Sequence, residues 1–400
     1  MKTTLDRIIY VLMYILIFVA VICRIEYTAK MVMTWIQVYR ISLYAVILLG
    51  FLSLFLKRNI EIKGISGFLF IMVLYELGVT VVGYKSLNKT LFNAFMVDTL
   101  AWPVIFILTY SLYKDDSIRV PFKVISACGV CIILGITAIN LSQMSTMGIN
   151  PTIGGVAFCV ATLPVVYMFF SKKTGIISTI IITILVMIST KRSSFLAVLG
   201  GIFAFYISDA MVQQRQRRKI NRMLALMLLA IVAAVVGIYL METSNLAMFQ
   251  RFASGDDIMS GRTILWQRIL RMFSEQSFSA KLFGNGMHAV KYKINPYGLG
   301  WYAHNSFIEA LYDYGMVGLG MLILFVVFII KKTITLNKQK SGLAPVLSST
   351  IPPLLFYSSA SYFFEVGQAI LIYAFVWGLC FAVSEKTMSE SEQISIERNK

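Results

Sequence analysis

Apolar runs long enough to cross a bilayer recur along this chain, and they leave few folds open. A membrane-spanning helix needs about 20 mostly apolar residues, because lipid offers no partner for an unpaired backbone N–H or C=O. Such runs lie near residues 8–23, 41–56, 65–83, 94–113, 122–140, 153–170, 176–190, 194–208, 223–241, 314–330, 345–363 and 366–383. The expected fold is all-α: a polytopic integral membrane protein with about 12 transmembrane helices and one long extracytoplasmic loop. Composition agrees, since 58% of the 400 residues are apolar and only 14% charged, against about 25% charged in soluble domains. Lys2 and Arg7 precede the first run as in a signal peptide, but no small-x-small cleavage site follows, so it reads as an uncleaved membrane helix. Pro345, Pro352 and Pro353 are placed to break or kink the eleventh run.

The formal charge of +17 would suggest nucleic acid in a soluble protein. Here the basic residues cluster between apolar runs, the pattern of cytoplasmic loops beside anionic headgroups, and no nucleic-acid partner is expected. With the N-terminus inside, 22 of the 36 Lys and Arg fall in cytoplasmic segments, such as Arg215, Arg217, Arg218, Lys219 and Arg222, and seven in short outer loops. That split places both termini in the cytoplasm and the segment 242–300 outside. The expected division is helices one to nine over 1–241, the outer loop over 242–313, helices ten to twelve over 314–384, and a polar tail over 385–400.

Chemistry-bearing residues gather near that loop. Both histidines, His288 and His304, lie in or beside it, and a His at the mouth of a membrane helix serves either as acid and base or as one more polar group in an aromatic belt with Trp301, Tyr302, Tyr312 and Tyr314. The stretch 260–273, SGRTILWQRILRMF, draws as an amphipathic helix on the outer membrane surface. Its Arg262 either meets headgroups or binds an anionic lipid-linked substrate. Arg192, in TKRSSFLAV, sits where two apolar runs meet; an ionisable group there is a functional candidate unless it snorkels to the interface. The chain has no nucleotide-phosphate loop. Its five cysteines lie in apolar runs, the C-x-x-C at Cys128 and Cys131 has no second ligand pair, and the paired acids Asp115-Asp116 and Asp256-Asp257 are adjacent rather than spaced. Neither a metal nor a cofactor is expected. Glu309, Asp313 and Glu365 remain as helpers or as helix-end polar groups.

His304-Asn305, nine residues, Gly315, two residues and Gly318 resemble the H-N-x9-G-x-x-G pattern of the O-antigen ligase and Wzy-type polymerase superfamily. A polar-Arg turn, STKRSS at 189–194, then SGRTILW at 260–266 and G-N-G at 284–286 follow in that family's order. The resemblance implies a metal-independent membrane glycosyltransferase acting on undecaprenyl-diphosphate-linked glycan at the outer face of the bacterial cytoplasmic membrane. It implies His304 as the base that deprotonates the acceptor hydroxyl, and Arg192 and Arg262 as the groups that hold the diphosphate. Lys191, Asn305, Trp266, His288 and Glu309 are accessory candidates. Expected partners are the lipid-linked glycan donor and acceptor, membrane lipids and other polysaccharide assembly proteins. No feature suits a lipid A core acceptor, so the polymerase is preferred to the ligase. A flippase would spread its intramembrane charges through both halves of the chain, whereas here they gather around 191–313.

Overall fold

The computed structural model describes residues 4–5, 7–9, 11–13, 15–16, 19, 32–57, 64–84, 89–114, 163–165, 167, 172–188, 192–213, 262–293, 302–360, 363–364 and 367–398. All regular structure among them is helical. The elements are α1 (Val32–Lys57), α2 (Gly64–Tyr84), α3 (Lys89–Ala94), a π-helical turn (Phe95–Leu100), α4 (Ala101–Lys114), α5 (Lys172–Ile188) and α6 (Arg192–Val212). After them come α7 (Arg262–Ser274), α8 (Phe278–Phe283), α9 (Ala289–Lys293), α10 (Ser306–Lys338), α11 (Ala344–Ala360) and α12 (Gly367–Arg398).

Four helices among the described residues are long and apolar enough to cross a membrane: Gly64–Tyr84, Leu91–Leu112, Ser193–Val212 and Ser306–Lys338. Shorter apolar helices cover Gln37–Ser53 and Ile370–Glu385. Large apolar side chains such as Leu48, Phe55 and Val82 point outward, as they do when the surrounding solvent is lipid rather than water. The chain is a helical membrane protein. The runs expected at 122–140 and 223–241 lie outside the described residues, as do Cys128, Cys131, Lys191, Trp301 and Glu365.

The core lies where α4, α10, α11 and α12 meet. The Trp102 and Phe325 ring centroids are 5.0 Å apart and those of Phe325 and Trp377 5.4 Å, in tilted and edge-on arrangements that suit the ring quadrupoles. Buried Trp377 donates its Nε1–H to Thr350 Oγ1 at 3.0 Å, so the largest core side chain also has its polar atom paired. Without a hydrophobic force between helices, close approach depends on small residues. Gly378 of α12 faces α4 so tightly that a Cβ would lie 2.6 Å from Phe106 O.

The same device explains one departure from the sequence reading. Pro352 and Pro353 do not break α11, which runs unbroken from Ala344 to Ala360. Pro345 falls in the first turn, where a missing N–H costs nothing. The Pro pair packs against Gly200 and Gly201 of α6, where an added Cβ would come within 2.7 Å of Pro352 Cβ and 3.0 Å of Ser349 O. Two glycines thus open the space that the two rings occupy, and α6 runs antiparallel to α11. Helix α12 continues into the polar tail after Ser384, as far as Arg398.

Outside this core, α7, α9 and the start of α10 share a smaller one, built from Ile269, Ala289, Val290, Ala303 and Tyr312 with Leu265, Met272 and Phe273 against it. The amphipathic helix expected over 260–273 is therefore present as α7, but its apolar residues divide. Leu265, Ile269, Met272 and Phe273 pack on protein, while Ile264 and Leu270 are exposed. The tenth expected span also starts earlier than 314: α10 begins at Ser306 and is interrupted at Gly315, whose φ of 67° and ψ of −170° are not helical.

Candidate functional site

His304 precedes α10 in a left-handed turn, φ 52°, a conformation that costs a β-carbon-bearing residue about 1–2 kcal/mol. The flanking residues hold it there. Asn305 is extended and caps α10, its side-chain oxygen accepting from Phe307 N at 3.0 Å and Ile308 N at 3.1 Å, which satisfies two donors that a helix start leaves unpaired. Its Nδ2 donates to Ser359 O of α11 at 3.0 Å. On the other side of His304, the Ala303 peptide is gripped at both ends: its N–H donates to Glu309 Oε2 at 2.8 Å, and its carbonyl accepts from Trp266 Nε1 at 2.7 Å. Five hydrogen bonds involving α7, α10 and α11 thus fix the residues around His304.

Arg262 opens α7 one turn before Trp266, and its Nη1 donates to Ala360 O, next to the carbonyl that receives Asn305. The C-terminal end of α11 therefore brings Arg262 and the His304 turn to one place, although 42 residues separate them in sequence. The same end of α11 meets the start of α6: Ser194 Oγ and Tyr357 OH lie 2.6 Å apart. Arg192 is the first residue of α6, so its backbone belongs to this end of the bundle. Of the sequence-derived candidates, Arg262, Trp266, His304, Asn305 and Glu309 converge here, and the backbone of Arg192 starts the helix that meets this end of α11. Lys191 lies outside the described residues.

The glycines of the motif have a structural reason. The break at Gly315 turns the carbonyls of Tyr312 and Asp313 away from the helix ladder, and the G-N-G loop answers them. Asn285 N and Gly286 N donate to Asp313 O at 2.9 and 2.8 Å, and Asn285 Nδ2 donates to Tyr312 O at 2.8 Å. The approach is so close that a Cβ on Gly284 would lie 2.3 Å from Asp313 O, and one on Gly315 2.4 Å from Leu282 O. Gly284, Gly286 and Gly315 all have positive φ, which glycine adopts without a Cβ clash. From the other side α2 braces the loop, with Tyr75 OH donating to Tyr314 O at 2.7 Å and Tyr84 OH to Met287 O at 2.8 Å.

His288 departs most from its sequence-based reading. Rather than lining the outer loop it is 2% exposed, also at a left-handed φ of 55°. Asp98 Oδ2 lies 3.4 Å from its Nε2, and ligand atoms of His288, Glu309 and Asp313 come within 4.8 Å of one another. The sequence offered no His and carboxylates at metal-ligand spacing, yet the fold assembles such a group from two distant segments. Asp98 and Glu76 were missed altogether. The available signal was an acid inside an apolar run, which in a membrane is a functional candidate by default. Asp313 also has a structural task, since its Oδ1 accepts from Val290 N at 3.0 Å at the start of α9.

No curated protein matches the chain. Residues 177–323, a stretch that runs from α5 to the middle of α10 and contains Arg192, Arg262, the G-N-G loop and the His304 turn, match the model of the family described as O-Antigen ligase (Wzy_C).

Proposed function

We propose that this protein polymerises a cell-surface polysaccharide such as O-antigen, capsule or exopolysaccharide. It transfers undecaprenyl-diphosphate-linked glycan to another lipid-linked repeat unit at the outer face of the cytoplasmic membrane, with both termini inside. The observation that carries the reading is the convergence of Arg262 and the His304 turn on the last carbonyls of α11, Ala360 O and Ser359 O.

In this reaction the acceptor hydroxyl oxygen attacks the anomeric carbon, and the bond from that carbon to the diphosphate oxygen breaks with its electron pair going to the diphosphate. His304 takes the hydroxyl proton. Arg262 and Arg192 face the charge that develops on the leaving group, and preplaced guanidiniums stabilise it without reorganising at the moment of reaction. The left-handed turn supports the role of His304: backbone strain held in place by five hydrogen bonds is what a positioned catalytic group requires. The lipid-linked donor explains why the site is built at the ends of membrane helices.

The donor already carries its activated leaving group, so purified protein with one lipid-linked repeat unit should yield a ladder of longer lipid-linked chains, without nucleotide or added divalent cation. A product formed only after lipid A core is supplied would make the protein a ligase. No glycan transfer under either condition would end the reading.

A further inference from the structure

Behind the His304 turn, on the side facing α2 and the π-helical turn, lies a second group of ionisable residues that the transfer chemistry does not use. His288 is its centre. The ring is 2% exposed, and neither Nδ1 nor Nε2 makes a hydrogen bond, although a buried imidazole without hydrogen bonds leaves its desolvation uncompensated. The ring lines a cavity of about 40 Å³ together with Glu76, Asp98 and Asp313, room for an ion with one or two waters at about 10–15 Å³ each.

Glu309 and Asp313 stand one turn apart on α10, so both carboxylates lie on one face. Each is nearly inaccessible, at 0% and 2% exposed. Carboxylates withdrawn from water cost several kcal/mol each unless an opposite charge meets them. Asp98 reaches the same ring from the π-helical turn, a local distortion that recurs at functional sites. His288 itself is held at a positive φ that side chains rarely adopt, so the backbone is strained on behalf of this inward-pointing ring.

We propose that His288, Glu309 and Asp313, with Asp98 beside them, bind one divalent transition-metal cation of the zinc or manganese class. Imidazole nitrogen combined with carboxylate oxygens suits these ions better than calcium or magnesium, which favour oxygen alone. Ligands about 2.0–2.2 Å from such an ion stand about 3–4 Å apart, so the 4.8 Å envelope of the three ligand atoms closes on the ion through small side-chain rotations. The ion's place is structural. Glu309 offers a carboxylate to the ion and also accepts the Ala303 N–H next to His304, while Asp313 accepts Val290 N behind the G-N-G loop. One ion would tie the π-helical turn, the start of α9 and α10 together beneath the turn without touching the transferred sugar.

The test uses tag-free full-length protein in detergent, stripped with chelator and titrated with ZnCl2 or MnCl2 alone. Bound metal is read by elemental mass spectrometry and the thermal unfolding midpoint by fluorimetry. The expected result is one ion per chain with a raised midpoint, both lost in His288→Ala and Asp313→Asn and both kept in His304→Ala. If Asp313→Asn is not monodisperse, Asp98→Asn replaces it and should bind more weakly than wild type. Wild-type protein that takes up neither ion, or His288→Ala protein that binds as wild type does, would overturn the proposal. No arm reads glycan transfer, so this inference and the polymerase reading stand or fall separately.

Discussion

Replacing Gly315 by alanine should destabilise the protein by about 3–5 kcal/mol. Its φ of 67° and ψ of −170° lie in a region essentially reserved for glycine, at a cost of about 1–3 kcal/mol for any other residue. The new Cβ would meet backbone, 2.4 Å from Leu282 O and 2.6 Å from Gly284 N, so no rotamer change relieves it. The 282–286 loop must move instead. Moving it weakens the two hydrogen bonds from Asn285 N and Gly286 N to Asp313 O, each with a net contribution of about 1 kcal/mol. With an unfolding entropy of about 2.1 cal/mol/K per residue, the loss corresponds to a fall of about 4–6 °C in the midpoint. Gly320→Ala is the matched control: a Cβ there meets nothing within 4 Å, and alanine is the better helix former by about 1 kcal/mol. Scanning fluorimetry of both variants in detergent decides the matter. Equal midpoints would refute the reasoning that Gly315 is required by a backbone break rather than by chance.

Three further outcomes follow from the site. Arg262→Lys and Arg192→Lys keep the charge but lose the bidentate fork, so transfer should fall markedly while insertion is unchanged; full activity in both variants would remove the arginines from the mechanism. Asn305→Asp retains the cap of α10 but cannot donate to Ser359 O, whereas Asn305→Ala loses both, so stability should order as wild type, Asp, then Ala, with the cap worth about 1 kcal/mol. Equal stability of the three would show that the cap contributes nothing. A cysteine placed at Asn245 or Asn295 should react with an impermeant reagent in intact cells; labelling only after permeabilisation would invert the topology.

Local features were legible in the sequence, and long-range ones were not. Hydropathy placed runs at 65–83, 94–113 and 194–208, close to the helices Gly64–Tyr84, Leu91–Leu112 and Ser193–Val212. The same measure started the next span at 314, because Glu309 and Asp313 lower a local average although both are buried against protein. The helix over 260–273 was readable from its periodicity. That Leu265 and Ile269 pack on α9 and α10 rather than face lipid depends on a tertiary partner that periodicity does not name. Pro352 and Pro353 misled for a similar reason, since the space that admits them is made by Gly200 and Gly201, about 150 residues earlier. His304, Asn305, Gly315 and Gly318 could be found because their spacing is local. The company of His288 could not, because Asp98 lies 190 residues away and nothing in either neighbourhood points to the other.

The most direct measurement of the central claim is single-turnover transfer by purified His304→Ala protein, with wild type and His288→Ala beside it, using one synthetic lipid-linked repeat unit and counting glycosidic bonds formed. His304→Ala should retain the wild-type unfolding midpoint while transfer falls about 10²–10⁴-fold, the usual loss when a general base is removed. Transfer by His304→Ala at the wild-type rate, in protein of wild-type stability, would contradict the account.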